Sequence, residues 1–95
     1  MRPNLSFQIS SKEVMWYLYI AQCRDGSLYT GVTTDPRQRL KSHNAGRGSV
    51  YIRSRGGALL RYTEPCATKG QALRREHEIK SWRRDQKLAL IRTHQ

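Results

Sequence analysis

Apolar positions along the chain fall into short blocks of differing period. Residues 16–23, Trp-Tyr-Leu-Tyr-Ile-Ala-Gln-Cys, are aromatic or aliphatic almost throughout and predict a strand. Asp25-Gly26 is a hairpin turn signal, and 28–33, Leu-Tyr-Thr-Gly-Val-Thr, predicts the returning strand, paired antiparallel. Asp35-Pro36 opens a helix. Asp35 can cap it, Pro36 suits the first helical position, and Gln38 stands where a capping box needs it. This helix runs through Arg39, Leu40 and His43 to a stop at Gly46 and Gly48. Residues 49–55 are basic and read as either a loop or a short helix, broken by Gly56-Gly57. Residues 58–64 predict a third strand, ended by Pro65. Thr68 caps a long helix over 69–82, whose inward face at 3–4 spacing is Ala72, Leu73, Glu76, Ile79 and Lys80. A last helix covers 84–92, with Leu88, Leu90 and Ile91 apolar. The order predicts an α/β layout of the α+β type, a three-stranded, mainly antiparallel sheet flanked by helices. Residues 1–14 are polar and unpatterned and predict a loose tail, which leaves one domain over 15–95.

Charge changes this picture from a small fold to a small fold with an anionic partner. The 95 residues carry 18 Lys and Arg against 7 Asp and Glu, a formal charge of +11. Such a surface repels itself unless nucleic acid, an anionic membrane or an acidic protein binds it. Arg outnumbers Lys by 13 to 5. The forked guanidinium matches phosphate, so the bias favours nucleic acid over an acidic protein. No run of 18 apolar residues exists, so no membrane span is expected, and the start lacks an apolar signal core. Cys23 and Cys66 stand alone without metal-ligand spacing, which argues against zinc and for reduced thiols. Together these features predict a cytoplasmic protein.

Few residues can do chemistry. Glu76 sits on the apolar side of its helix, where a carboxylate must be paired or bound to a metal. The plain alternative is a salt bridge to one of the many Arg residues. Tyr19 and Tyr29 lie on strands joined by a tight turn, as a reactive pair or as ordinary packing. Arg39 and His43 are four apart and project from one helix face. They form either a phosphate clamp with a proton shuttle or a solvated basic face.

The combination is more specific than its parts. Tyr17-Leu18-Tyr19, then Tyr29-Thr30-Gly31, then Arg39-x-x-x-His43, then helical Glu76 followed by Lys80, resembles the GIY-YIG nuclease family. The resemblance is closest to its small stand-alone bacterial members and spans 15–91. The stretch Ala72-Leu73-Arg74-Arg75-Glu76-His77-Glu78-Ile79-Lys80 resembles theirs as well. Tyr17 stands where the family name has Gly, Thr30 replaces Ile, and no Asn follows the glutamate.

The resemblance implies a metal-dependent endonuclease that hydrolyses phosphodiester bonds. Glu76 would hold Mg²⁺, or Mn²⁺, which keeps most of its waters. Arg39 would neutralise charge on the phosphate. A tyrosine would take the proton of the attacking water, its pKa lowered by the metal, Arg39 and Lys80. Tyr19 is favoured for that role, with Tyr29 and His43 holding water and phosphate, and the reverse assignment stays open. Gly31 would let substrate approach the backbone. Arg53, Arg55, Arg61, Arg74, Arg75, Arg83 and Arg84 are candidates for nucleic-acid backbone contacts. DNA is favoured over RNA as partner. One small domain implies structure-selective or weakly specific action, in repair or recombination. The competing expectation is a degenerate nuclease fold that binds DNA or RNA without cutting.

Overall fold

A central strand organises the molecule. The computed structural model describes residues 14–94, so the predicted tail lies outside the described residues except for Val14. Strand β1 (Trp16–Cys23) runs between β2 (Leu28–Thr33) and β3 (Ala58–Cys66), antiparallel to both. β1 is covered on both faces, which explains its nearly unbroken apolar run. Leu18 and Ile20 face one side, and Tyr19, Ala21 and Cys23 face the other. The β1–β2 turn is held by the Asp25 carboxylate, which accepts from the N–H (3.0 Å) and the hydroxyl (2.6 Å) of Ser27.

Helix α1 (Pro36–Asn44) starts as expected, with Asp35 Oδ1 accepting from the Gln38 N–H at 3.1 Å. The ambiguous basic stretch contains a short helix, α2 (Val50–Ser54), capped by the Ser49 hydroxyl. Helices α3 (Lys69–Lys80) and α4 (Arg84–Thr93) follow β3. α3 ends two residues short of the predicted Trp82. Leu40 and Ile52 join the Tyr19 face, so α1 and α2 cover that side. Ala72, Ile79 and Ile91 join the Leu18 face, so α3 and α4 cover the other. Leu73 departs from expectation, being 43% exposed. The buried stripe of α3 runs through Ala72 and Ile79, and Leu73 lies a further turn of the wheel outward. Among the described residues no helix is long and apolar enough to cross a membrane.

β3 also runs two residues beyond its predicted end, through Pro65. β3 is an edge strand, and an edge tolerates the missing proline N–H. Within it, Ile20 pairs with Tyr62 while Ala21 pairs with Leu60, which leaves Arg61 as an extra residue. A one-residue bulge exchanges the two faces of a strand. Ala58 and Leu60 therefore pack toward Tyr19, whereas Tyr62 and Cys66 pack toward Leu18. Cys23 and Cys66 end up free, buried and on opposite faces of the sheet.

Candidate active site at the open edge of the sheet

Tyr19 is 1% exposed, and its position is set by strand register. Its direct partner on the edge strand β2 is Gly31. A Cβ added to Gly31 would lie 2.7 Å from both Cζ and the hydroxyl oxygen of Tyr19. The tyrosine ring thus lies across the glycine and carries its hydroxyl over β2 toward the open edge. Gly31 is buried, and its missing side chain makes room for the Tyr19 ring. Tyr29, also on β2, borders the same space. Its ring centroid lies 6.2 Å from that of Tyr19 and 5.9 Å, edge-on, from His43.

His43 comes from the last turn of α1 and is 3% exposed. Its Nε2 lies 3.5 Å from the Tyr19 hydroxyl, the long limit of a hydrogen bond. Its Nδ1 accepts from the backbone N–H of Ser49 at 2.8 Å. A ring nitrogen that accepts an N–H carries no proton, so neutral His43 is protonated at Nε2 and donates to Tyr19. The Tyr19 hydroxyl is then free to donate outward. Gly48, at φ +96°, makes this possible, because a Cβ there would collide with Nδ1 and approach Cε1 to 2.7 Å. Burial holds His43 below its ordinary value of 6.5, and nearby Arg39 pushes the same way.

Burial, reinforced by Tyr29 and Glu76, raises the Tyr19 phenol well above the ordinary 10.0, and the opposing pull of Arg39 does not win. In the free chain Tyr19 is a neutral phenol.

Arg39 is exposed and one helical turn before His43, within electrostatic reach of both Tyr19 and His43. Glu76 reaches Tyr19 electrostatically from α3, on the other side of the sheet. It sits at the boundary between the buried and solvated stripes of its helix, with its side chain 21% exposed. Lys80 pairs with it at 3.2 Å. The five predicted residues Tyr19, Tyr29, Arg39, His43 and Glu76 therefore gather at one edge, with Lys80 joined through Glu76. No group of three or more His, Cys, Asp or Glu side chains surrounds Glu76 among the described residues. A single, partly buried carboxylate fits a hydrated Mg²⁺ or Mn²⁺, which takes most of its ligands from water. It does not fit zinc.

The arginines divide by occupation. Arg75 is committed to the fold: it donates to both Glu64 oxygens (2.9 and 3.2 Å) and to Glu78 (3.0 Å), and lies 5.3 Å over Trp82. Its guanidinium is thus engaged within the fold. Burial opposes ionisation of Glu64, but the bonds from Tyr62 and Arg75 hold its carboxyl below the usual range. Arg55 lies 3.7 Å over the Tyr51 ring and 3.4 Å from the Asp25 carboxylate. Arg53 donates to the Gly46 carbonyl and Arg83 pairs with Asp85, both exposed. Arg61, Arg74 and Arg84 are exposed. Two further residues emerge only in three dimensions. Asn44 accepts from the Ala58 N–H (2.8 Å) and donates to the Ala58 carbonyl (2.9 Å), which clamps the end of α1 to β3. Tyr51, two residues past Ser49, lies 5.7 Å from Tyr29. Its exposed aromatic ring in a basic stretch was the available signal.

A family model of the GIY-YIG catalytic domain matches residues 15–89. A UPF0213 protein of Staphylococcus haemolyticus is 48% identical over 75 residues, which cover 79% of this chain and 92% of that one. A UPF0213 protein of Halobacterium salinarum is 47% identical over 77 residues, covering 81% and 100%. The relatives are thus archaeal as well as bacterial. The solution NMR structure of a UPF0213 protein from Bacillus halodurans is similar with a TM-score of 0.54 at 42% identity, covering 83% of this chain and 84% of that one. With its antiparallel sheet and gathered edge residues, the chain belongs to the GIY-YIG nuclease family, among the small UPF0213 proteins.

Proposed function

We propose that this protein is a metal-dependent endonuclease that hydrolyses phosphodiester bonds in DNA, with selectivity for structure more than for sequence. The observation that carries this reading is the contact cluster of Tyr19, Tyr29 and His43, flanked by Arg39 and Glu76 at one sheet edge. Arg39 binds the scissile phosphate and offsets charge that develops on it. His43 holds the Tyr19 oxygen through Nε2–H, so that the Tyr19 proton points outward to orient phosphate or water. Because the Tyr19 hydroxyl is used in this way, the reversed assignment of the two tyrosines follows: Tyr29 accepts the proton of the attacking water and passes its own hydroxyl proton to solvent, from which the leaving oxygen is protonated. Glu76 would hold a Mg²⁺ or Mn²⁺, which would supply positive charge to the phosphate and the leaving oxygen. The surplus of basic side chains attracts the polyanion. A cytoplasmic role in repair or recombination belongs to the same proposal.

The test is a cleavage panel of branched, flapped, single-stranded and duplex DNA in Mg²⁺ or Mn²⁺, with Glu76→Ala alongside. Metal-dependent cutting that the substitution abolishes is expected. Cutting that survives it overturns the role of Glu76. Binding without cutting of any substrate overturns the nuclease reading and leaves a binding module.

A further inference from the structure

Tyr51 is 37% exposed although it belongs to a continuous run of rings. Tyr19 leads to Tyr29 at 6.2 Å, Tyr29 to Tyr51 at 5.7 Å, and Tyr51 to the guanidinium of Arg55 at 3.7 Å. The run thus begins at the buried site and ends in solvent on a stacked tyrosine–arginine pair. The pair is held in place from three sides. Ser49, the cap of α2, is tied to His43 through its N–H. Arg55 Nη1 lies within bonding distance of the Tyr51 carbonyl (3.4 Å) and the Ser54 hydroxyl (3.2 Å). Asp25, from the β1–β2 turn, pairs with Arg55 Nε at 3.4 Å.

We infer that Tyr51 and Arg55 form a stacking platform for an unpaired nucleobase next to the scissile phosphate. Base and guanidinium or phenol planes stack regardless of base identity, and only a base outside a duplex can present its face. The spacing supports it: Tyr51 lies 5.7 Å, ring to ring, from Tyr29, so a phosphate held by Tyr29 and Arg39 has Tyr51 as its neighbour on the solvent side. The cationic guanidinium also draws the neighbouring phosphate. The site would therefore select single-stranded, flapped or looped nucleic acid over continuous duplex. This rests on the proposed nuclease reading for the position of the phosphate, but stacking itself requires no cleavage.

The test is binding in the presence of a chelator, so that no turnover contributes. The probe is a DNA flap with 2-aminopurine at the unpaired position beside the junction. Quenching on binding is expected for the native chain and for Glu76→Ala. Tyr51→Leu should lose the quench and weaken flap binding about 5-fold or more, while duplex binding changes less than about 2-fold. Tyr51→Trp should restore the quench. Arg55→Gln, which keeps Tyr51, provides a second variant and should weaken flap binding more than duplex binding. Flap binding and quenching by Tyr51→Leu equal to native would overturn the inference. Quenching by a native chain that cuts no DNA when Mg²⁺ or Mn²⁺ is supplied overturns the nuclease reading alone.

Discussion

The backbone N–H of Ser49 donates to Nδ1 of His43 at 2.8 Å, and this bond decides which ring nitrogen faces Tyr19. Protonating Nδ1 would break it, and burial already holds His43 below 6.5. The unfolded chain therefore binds a proton that the folded chain refuses. Stability from this group is complete above 6.5 and is lost as pH falls from 6.5 through the lowered folded value. His43→Asn keeps an acceptor near Ser49 but does not titrate. Its thermal midpoint should fall less between pH 7 and pH 5 than that of the native chain. An equal fall in both would show that His43 is not the titrating group.

Gly31 and Tyr19 form the second pairing on which the site depends. Gly31→Ala places a methyl group 2.7 Å from the ring tip. The ring belongs to a buried side chain, so the strain should cost about 1–3 kcal/mol and displace the hydroxyl. The two residues should couple. In a Tyr19→Leu background, Gly31→Ala should cost measurably less, a non-additivity readable by urea unfolding. Additive costs would mean that the ring does not fill the space over Gly31.

The parts that were legible in the sequence are those governed by local chemistry. β1 and β2 occupy their expected residues because a dense apolar run, an Asp-Gly turn and an alternating return strand leave little choice. The capped starts of α1 and α3 were visible in Asp35-Pro36 and Thr68. Other features depend on distant partners. Alternation in β3 cannot reveal the Arg61 bulge, because the same parity serves both faces on either side of it. Pro65 ends a central strand but not an edge strand, and strand order lies outside local pattern. Arg75 and Arg74 are equivalent as text, and only the arrival of Glu64 eleven residues away separates them. Gly31 was legible as a needed glycine, though the residue needing it is across the strand pair. Burial raises the Tyr19 phenol against the pull of Arg39, and composition does not report burial.

That separation of Arg75 from Arg74 is measurable. Arg75→Met should destabilise the fold by about 1–3 kcal/mol near pH 7, because it strips charge-assisted bonds from half-buried Glu64. Glu64 titrates below its ordinary value in the folded chain, so the stabilisation is lost as pH falls through that lowered value. The difference between variant and native chain should therefore shrink in acid. Arg74→Ala should instead leave unfolding unchanged and reduce the salt slope of duplex binding by about one phosphate contact. If Arg75→Met lowered the salt slope without affecting stability, Arg75 would be a nucleic-acid contact after all.

Lys80 poses a sharper choice, because it pairs with the one carboxylate proposed to hold the metal. The Glu76–Lys80 pair, at 3.2 Å with Lys80 56% exposed, is solvated, and pairs of this kind contribute at most about 1 kcal/mol. A cation that binds Glu76 must displace the ammonium or share the carboxylate with it. Removing Lys80 should thus tighten metal binding by up to about 5-fold. Lys80→Met should lower the Mn²⁺ concentration that half-saturates the chain in a calorimetric titration without substrate, and shift the metal midpoint for cleavage equally. Glu76→Gln should abolish both. The rate at saturating metal separates the two roles of Lys80. A counter-ion of the free carboxylate leaves that rate nearly unchanged when removed, whereas a residue that steadies a tyrosinate or the phosphate lowers it at every metal concentration. The pairing seen here predicts the first outcome, and a fall of 10-fold or more at saturating metal would return Lys80 to the reacting groups.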